Sequence, residues 1–578
     1  MTRALLRALA RPRALVAALV LGVLVSAPAL ATGWFSDDFV MRLLLGDGVE
    51  GYPLSPLQLY EFTPPAVPAS VAVERGFLAW FTAPEMSLRF FRPLSSATLW
   101  LGAALFGRSA LLAHLHQLLW FLALVVVVGR LHRRLLRPSA AGLATVLYAI
   151  ASYHATSVAW IAARHVLVGG FFGTLTVLLH VGWRQTGERW RAVGAALAFG
   201  AGALASEIAL CAAVLVVLYE LLARADPGRV RARAAAPAAL ATLGYLAFYV
   251  VGGWGARHSG MYLSPLTDPL AYAGAASVRV PVLFGEAFGG VPSELWGVEP
   301  LRPMLLGWAA LTTITVLLLL RAGRFGRRER WLLASSVAGL APVVGGVIGG
   351  RLLVVVGAAT SALLATAIVR GFVRVGQPGG WGTRVGLGFL LVLGFGLSPL
   401  ARLGIGAGMI EISSAQRAQA RALDVGACRD ASLLYSLTGA DPSSSMYLEP
   451  ALRLYAPDRA ERFETIRTLS MAVAPHRFTR VGERSFTLEI LGEREIGPIE
   501  AVHYDEPPAV GSERTVGELT IEVTDGTAQG WTAARFEVDR PLESVCFASW
   551  DGEALRLWRA PPVGETRELP YRSGIMGM

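Results

Sequence analysis

Apolar runs fill the first two thirds of the chain, and the charged positions that separate them are mostly arginine. The run Ala14 to Ala31 is uncharged and, at about 1.5 Å rise per residue, long enough to cross most of a hydrocarbon core. Further runs fall near 109–129, 139–158, 166–183, 192–205, 208–222, 235–253, 303–320, 331–349, 352–370 and 385–401. With the first they predict about eleven crossings. Arginines mark alternate gaps: Arg130 to Arg137, Arg184 to Arg191, Arg224 to Arg233, Arg321 to Arg330, and Arg370 to Arg384. The positive-inside rule makes these gaps cytoplasmic, together with an N-terminus carrying Arg3, Arg7, Arg11 and Arg13. Basic residues, an apolar stretch and Ala29-Leu30-Ala31 also fit a cleavable signal peptide, but the later charge alternation works with the first span retained.

Two outward segments are long. Gly33 to Gly107 contains Pro93 to Phe106, which reads as a membrane-surface helix, and Trp254 to Arg302 contains a second candidate near Pro269 to Phe288. After Arg402 the pattern changes to a period of two, as in Ser485 to Ile490 and Glu518 to Val523, preceded by a helical portion around Leu448 to Leu469. The predicted organisation is a polytopic α-helical membrane domain over 1–408 and an extracytoplasmic mixed α/β or mainly β domain over 409–578.

Composition agrees with this class. The chain is 54% hydrophobic and 16% charged, which excludes an ordinary soluble enzyme. Its net charge of +10 comes from arginines at span ends, which orient helices and argue against nucleic-acid binding. Lysine is absent, a trait of genomic base composition rather than of function. Three cysteines are too few for a disulfide scaffold or zinc site. Cys211 falls in a span and is expected as a buried thiol. Cys428 and Cys546 fall in the outer domain, where an oxidising compartment permits pairing, although spacing does not decide it.

Asp37-Asp38, just beyond the first span, is the strongest candidate for chemistry. Two aspartates there either hydrate a loop or cap a helix starting at Phe39, or accept a proton at the bilayer surface. Arg92, Arg164 and Arg351 lie on the outer side against the charge rule, and each either anchors to lipid head groups or meets an anionic substrate. Glu207 sits in a short turn between apolar runs, an expensive place for a carboxylate unless it faces protein or water. His114 and His116 are two apart, so on a helix they point to different faces and cannot jointly chelate a metal. A divalent cation bridging Asp37 or Asp38 to phosphate is compatible with these residues but not required by them.

The order of these landmarks resembles the integral-membrane glycosyltransferases of the C superfamily. The likeness is to the branch containing the protein O-mannosyltransferases and the bacterial relatives of membrane-anchored tetratricopeptide-repeat mannosyltransferases. It rests on Asp37-Asp38, Phe91-Arg92-Pro93-Leu94, Leu112-Ala113-His114-Leu115-His116, Trp160 to Leu167, Ala205-Ser206-Glu207 and Gly350-Arg351-Leu352-Leu353, across residues 10 to 400. Val166 stands where an acid is common in that pattern, Glu207 follows serine rather than lysine, and no 34-residue helical period is visible in the C-terminal domain. The resemblance implies an inverting transfer of a sugar from a polyprenyl-phosphate carrier to a hydroxyl of a glycan, lipid or protein at the outer face of an inner membrane. Asp37 and Asp38 would be catalytic, and Arg92, His114, Arg164, Glu207 and Arg351 would bind substrate on one outer cavity. Two other classes stay open at this level: a non-catalytic envelope-assembly protein keeping this fold, and a lipid-linked sugar transporter or flippase.

Overall fold

The computed structural model describes residues 7–572 apart from 47–54, 322, 324, 376–379, 440, 495 and 498, so Arg3 and Arg324 lie outside the described residues. Six helical segments are long and apolar enough to cross a membrane: Arg13–Ala31, Ala110–Leu135, Ile161–Thr186, Gly228–Val251, Glu299–Leu320 and Trp381–Ala422. The other predicted crossings are shorter helices: Pro138–Ile150, Arg189–Ala205, Leu210–Leu218, Arg327–Ala338 and Gly357–Arg374. Hydropathy counts these as full spans because the apolar pattern runs on where the helix does not. The run 331–349, for example, stops being helical at Ala338 and continues as turns through a glycine-rich segment.

A helix forms in each of the two segments predicted as surface helices. Pro93–Phe106 has its proline at the first helical position, where φ is already suited and no N–H is lost. It ends before Gly107, whose φ of 57° favours a residue without Cβ. Pro269–Gly289 likewise opens on proline, and the Asp268 carboxylate caps it by accepting from Ala271 N at 2.9 Å.

The chain divides into two compact units. The first comprises residues up to Gly33, Phe91–Gly253 and Leu263–Ile410. Close packing surrounds the helix Arg164–Thr186. A Cβ on Gly169 would lie 2.7 Å from Ser206 Cβ, and one on Gly170 would lie 2.6 Å from Val354 Cγ1. Glycine therefore lets two chain reversals, at 206–209 and 350–354, approach the same helix.

The second unit comprises Trp34–Phe90, Trp254–Tyr262 and Glu411–Met578, so it takes in parts of both long loops that the sequence assigns to the membrane domain. Those loops contribute the ribbon β1 (Ser87–Arg89) and β2 (Gly255–Arg257). In the C-terminal segment, β3 (Leu433–Ser436) lies between β4 (Thr465–Thr468) and β10 (Val545–Trp550), parallel to both, and β11 (Leu555–Trp558) adds antiparallel to β10. A second, antiparallel sheet runs in the order β12 (Thr566–Leu569), β5 (His476–Arg480), β6 (Ser485–Ile490), β9 (Gly530–Val538), β8 (Leu519–Thr527), β7 (Glu513–Val516).

Alternation in the central sheet builds three layers. Leu433, Tyr435, Val545 and Phe547 pack with Phe478, Phe486 and Phe536 of the antiparallel sheet. Leu434, Cys546 and Ala548 face Leu448, Ala451 and Leu452 of the helix Leu448–Tyr455. The expected helical portion to Leu469 is corrected: helix ends at Ala460, and Thr465–Thr468 is β4, where β-branched residues suit the pleat. Cys428 and Cys546 form a disulfide with Cα atoms 5.8 Å apart, and Cys211 is a buried free thiol.

Candidate functional site

The acid pair lies in the β-rich unit and opens the helix Asp37–Leu45. Carboxylates in a first helical turn face the positive end of the helix dipole. The residue before them, Ser36, has φ 50°, a left-handed value that is rare for a side chain with Cβ, and its Oγ lies 3.3 Å from Ser443 Oγ. Asp38 is buried, and its Oδ2 accepts from Phe35 N at 3.1 Å. Asp37 is half-buried and accepts from the Tyr447 hydroxyl. Burial, and after it the Asp37 charge, hold the Tyr447 phenol well above its ordinary range, so it remains a donor to Asp37. The two aspartates, equivalent in the sequence, thus have different surroundings: Asp38 is tied to its own loop, and Asp37 to a tyrosine of the C-terminal segment.

In the helical unit the three outer arginines also separate. Arg164 is 1% exposed. Its Nε donates to Gln117 Oε1 at 2.9 Å, Nη1 to Thr98 O at 3.1 Å and Nη2 to Ala113 O at 3.1 Å. It braces helices Pro93–Phe106 and Ala110–Leu135 against its own helix. Gln117 carries that brace onward by donating to Ser157 O at 2.6 Å and Trp160 O at 3.1 Å.

Arg92 immediately precedes the helix Pro93–Phe106 and pairs with Glu207, its Nη2 2.8 Å and its Nε 2.9 Å from Oε2. The other Glu207 oxygen accepts from the Tyr249 hydroxyl. Next to Glu207, Ser206 Oγ lies 3.0 Å from His165 Nδ1. His165 lies within electrostatic reach of both Arg92 and Arg351. Arg351 stands in the turn Gly350–Leu353, half-buried, with its guanidinium carbon 5.9 Å from the centre of the Trp160 ring. Among the described residues its side chain has no hydrogen bond or ion pair, unlike Arg92 and Arg164.

His114 is fully buried and Nε2 lies 3.3 Å from Gly33 O, whereas His116 lies 3.3 Å from Arg164 Nη1. As expected from their spacing, the two rings take different partners. Among the described residues no group of three or more His, Cys, Asp or Glu is arranged to hold a metal.

The helical unit therefore brings Arg92, Glu207 and Arg351 to one neighbourhood through His165, and uses Arg164 as an internal brace. Sequence reasoning missed Tyr249 and Tyr447 as partners of carboxylates, Gln117 as a relay, and His165 as the link. Their types are ordinary, and only proximity across 40 or more residues distinguishes them.

These features define a helical membrane protein carrying a β-rich unit. No protein-family profile and no curated protein matches the chain. Solved structures that resemble it include the oligosaccharyltransferase of Archaeoglobus fulgidus in complex with Zn and sulfate, at 12% identity and TM-score 0.45 over 80% of this chain. The chain spans 63% of that protein's length. The archaeal oligosaccharyltransferase AglB from the same organism, with an inhibitory peptide and a dolichol-phosphate, gives 12% identity and TM-score 0.44 over 80% of this chain and 65% of that one. ArnT from Cupriavidus metallidurans bound to undecaprenyl phosphate gives 14% identity and TM-score 0.38 over 79% of this chain and 90% of that one.

Proposed function

We propose that the chain is a membrane glycosyltransferase moving a sugar from a polyprenyl-phosphate donor to an acceptor hydroxyl on the outer face. One observation carries the reading: Arg351 is half-buried against Trp160 and, among the described residues, without an internal hydrogen bond or ion pair, whereas Arg92 is already neutralised by Glu207. A half-buried cation without an internal counter-ion suits an anionic ligand, and guanidinium geometry suits phosphate oxygens. Arg351 takes the charge that grows on the departing lipid phosphate, and Arg92, held by Glu207, adds a second donor edge. Arg164 acts at one remove by holding Gln117, and through it the backbone of Trp160. His114 packs in the same unit.

Asp37 accepts the acceptor's proton as the oxygen attacks the anomeric carbon, while the bond to phosphate breaks and its electron pair leaves with the lipid phosphate. The Tyr447 hydroxyl holds one oxygen of Asp37, and Asp38 fixes the loop that presents it. A single displacement of this kind inverts the anomeric centre. The sequence motifs favour the O-mannosyltransferase-like branch, with a glycan, lipid or protein as acceptor. The topology that goes with this reading has the N-terminus and Gly228 in the cytoplasm of a bacterial cell and Ser432 outside the inner membrane.

Mass analysis of envelope glycans and proteins with and without the chain tests the activity. A hexose-sized loss on one class supports it, restored by the wild type and not by Asp37→Asn. Full restoration by the Asp37→Asn, Asp38→Asn double variant would exclude the acid pair. Reporters active only outside the cytoplasm, fused at Ser432 and Gly228, should be active at the first position alone.

A further inference from the structure

Arg351 is carried by a single turn, Gly350–Leu353, and its guanidinium lies over the Trp160 ring, with no hydrogen bond or ion pair among the described residues. Its position is therefore set by the backbone beneath it. That backbone rests on two carboxylates. Glu294 Oε1 accepts from Gly350 N at 3.0 Å and from Thr156 Oγ1 at 3.3 Å. Glu286, 1% exposed, accepts at Oε1 from Ser152 Oγ at 3.1 Å and at Oε2 from Ser293 N at 3.0 Å and Ser293 Oγ at 2.6 Å. The fit leaves no room for a side chain: a Cβ on Gly350 would lie 2.7 Å from Glu286 Oε1 and 2.6 Å from Tyr153 Cα. A Cβ on Gly349 would lie 3.0 Å from Glu294 Oε1.

Buried Glu286 is an expensive carboxylate in so apolar a helical unit unless it serves a purpose, and exposed Glu294 spends one oxygen on backbone. Neither forms an ion pair with Arg351, so they do not neutralise it; Glu294 instead binds the peptide N–H one residue before it. We propose that Glu294, with Glu286 behind it, is a positioning residue. It holds the Gly350 backbone so that the Arg351 guanidinium stands over Trp160 with its charge left for the donor phosphate. This rests on the phosphate reading of Arg351. It adds that the acid which matters to Arg351 acts as a hydrogen-bond acceptor for backbone rather than as a counter-charge.

The distinction gives the test. Glutamine keeps the acceptor oxygen and loses the charge, whereas alanine loses both. Binding of undecaprenyl phosphate to the full chain in lipid nanodiscs would be measured beside the KM and kcat of donor transfer. The variants are Arg351→Ala, Glu294→Gln, Glu294→Ala and the double Glu294→Ala, Arg351→Ala. Arg351→Ala should weaken binding about tenfold or more. Glu294→Ala should raise KM about fivefold with kcat within about twofold, Glu294→Gln should stay within about twofold of wild type, and the double variant should be no weaker than Arg351→Ala alone. Gly350→Ala, which displaces the same backbone while keeping both acids, should reproduce the KM rise and serves if Glu294→Ala fails to accumulate. Equal loss in Glu294→Gln and Glu294→Ala, additivity in the double variant, or unchanged binding in both Glu294→Ala and Gly350→Ala overturns the positioning role while leaving the phosphate reading intact. Unchanged binding in Arg351→Ala overturns both.

Discussion

The two units satisfy buried arginines in different ways. In the β-rich unit they meet carboxylates: Arg467 with Glu518 at 2.8 Å and Arg480 with Glu543 at 2.7 Å. In the helical unit the fully buried Arg164 and Arg402 meet backbone carbonyls, and carboxylates go instead to half-buried arginines, Arg184 with Glu220 and Arg370 with Glu329, each at 2.8 Å. Arg402 donates to Ala149 O at 2.7 Å, and Arg164 to Thr98 O and Ala113 O, each at 3.1 Å. The reason is solvation. Acids are expensive among apolar helices, but every helix end there leaves carbonyls without partners, and an arginine fork reaches them. Arg92 is likewise half-buried and given a carboxylate, whereas half-buried Arg351 has neither carboxylate nor carbonyl among the described residues.

The largest expected effect separates chemistry from packing at the acid pair. Asp37→Asn should lower transfer by about 10²- to 10⁴-fold, the usual range for a general base, with membrane abundance near normal. Asp38→Asn, changing a buried acceptor of the Phe35 N–H, should act mainly on abundance and thermal stability. Transfer assays paired with quantitative immunoblots would show whether the two aspartates differ in this way.

Acid should strike the β-rich unit first. Burial lowers His476 and His503 to about 4, so both are neutral in the fold and protonate more readily in the unfolded chain. Their folded values lie below the unfolded one, so stability is lost as pH falls from about 6.5 towards 4, by about 3 kcal/mol for each histidine. Burial works against the Glu518 charge, but Arg467 outweighs it and holds Glu518 below its ordinary range. That stability is present above the unfolded carboxylate value and is likewise lost at lower pH. Thermal melts of the full chain across this range should show an early transition that His503→Phe makes less pH-dependent.

Between the arginines, the expectation is a crossover. Arg351→Ala should weaken donor binding by about 1.5–3 kcal/mol and leave the melt unchanged. Arg164→Ala should lower thermal stability by about 2–3 kcal/mol, because Gln117 and two carbonyls lose a donor. Both variants behaving alike would erase the contrast between an outward-serving and an internal cation. The smallest effect belongs to Ser36→Gly, which should relieve the φ of 50° and change stability by less than about 1 kcal/mol while lowering transfer if the strain positions Asp37.

Much of the architecture is set by local signals. Pro93 and Gly107 bound a helix whose two ends match the sequence expectation, because a proline start and a glycine stop act within one turn. The strands β6 and β8 announce themselves by alternation, each having one buried face and one more open face. The strands β3 and β10 do not, because nearly all their residues are buried between two layers and the period of two disappears. Hydropathy likewise found apolar segments but not their helical length, since a glycine-rich turn packed among helices is as apolar as a span. The candidate site divides along the same line. Residue type and sidedness single out Asp37, Asp38, Arg92, Arg164, Glu207 and Arg351 from the sequence alone. Which aspartate faces Tyr447, and which arginine is spent on the fold, depends on neighbours 40 to several hundred residues away. Sequence thus determined which groups can carry charge, and tertiary structure decided which charges are already answered, because a hydrogen bond depends on distance in space and not on separation along the chain.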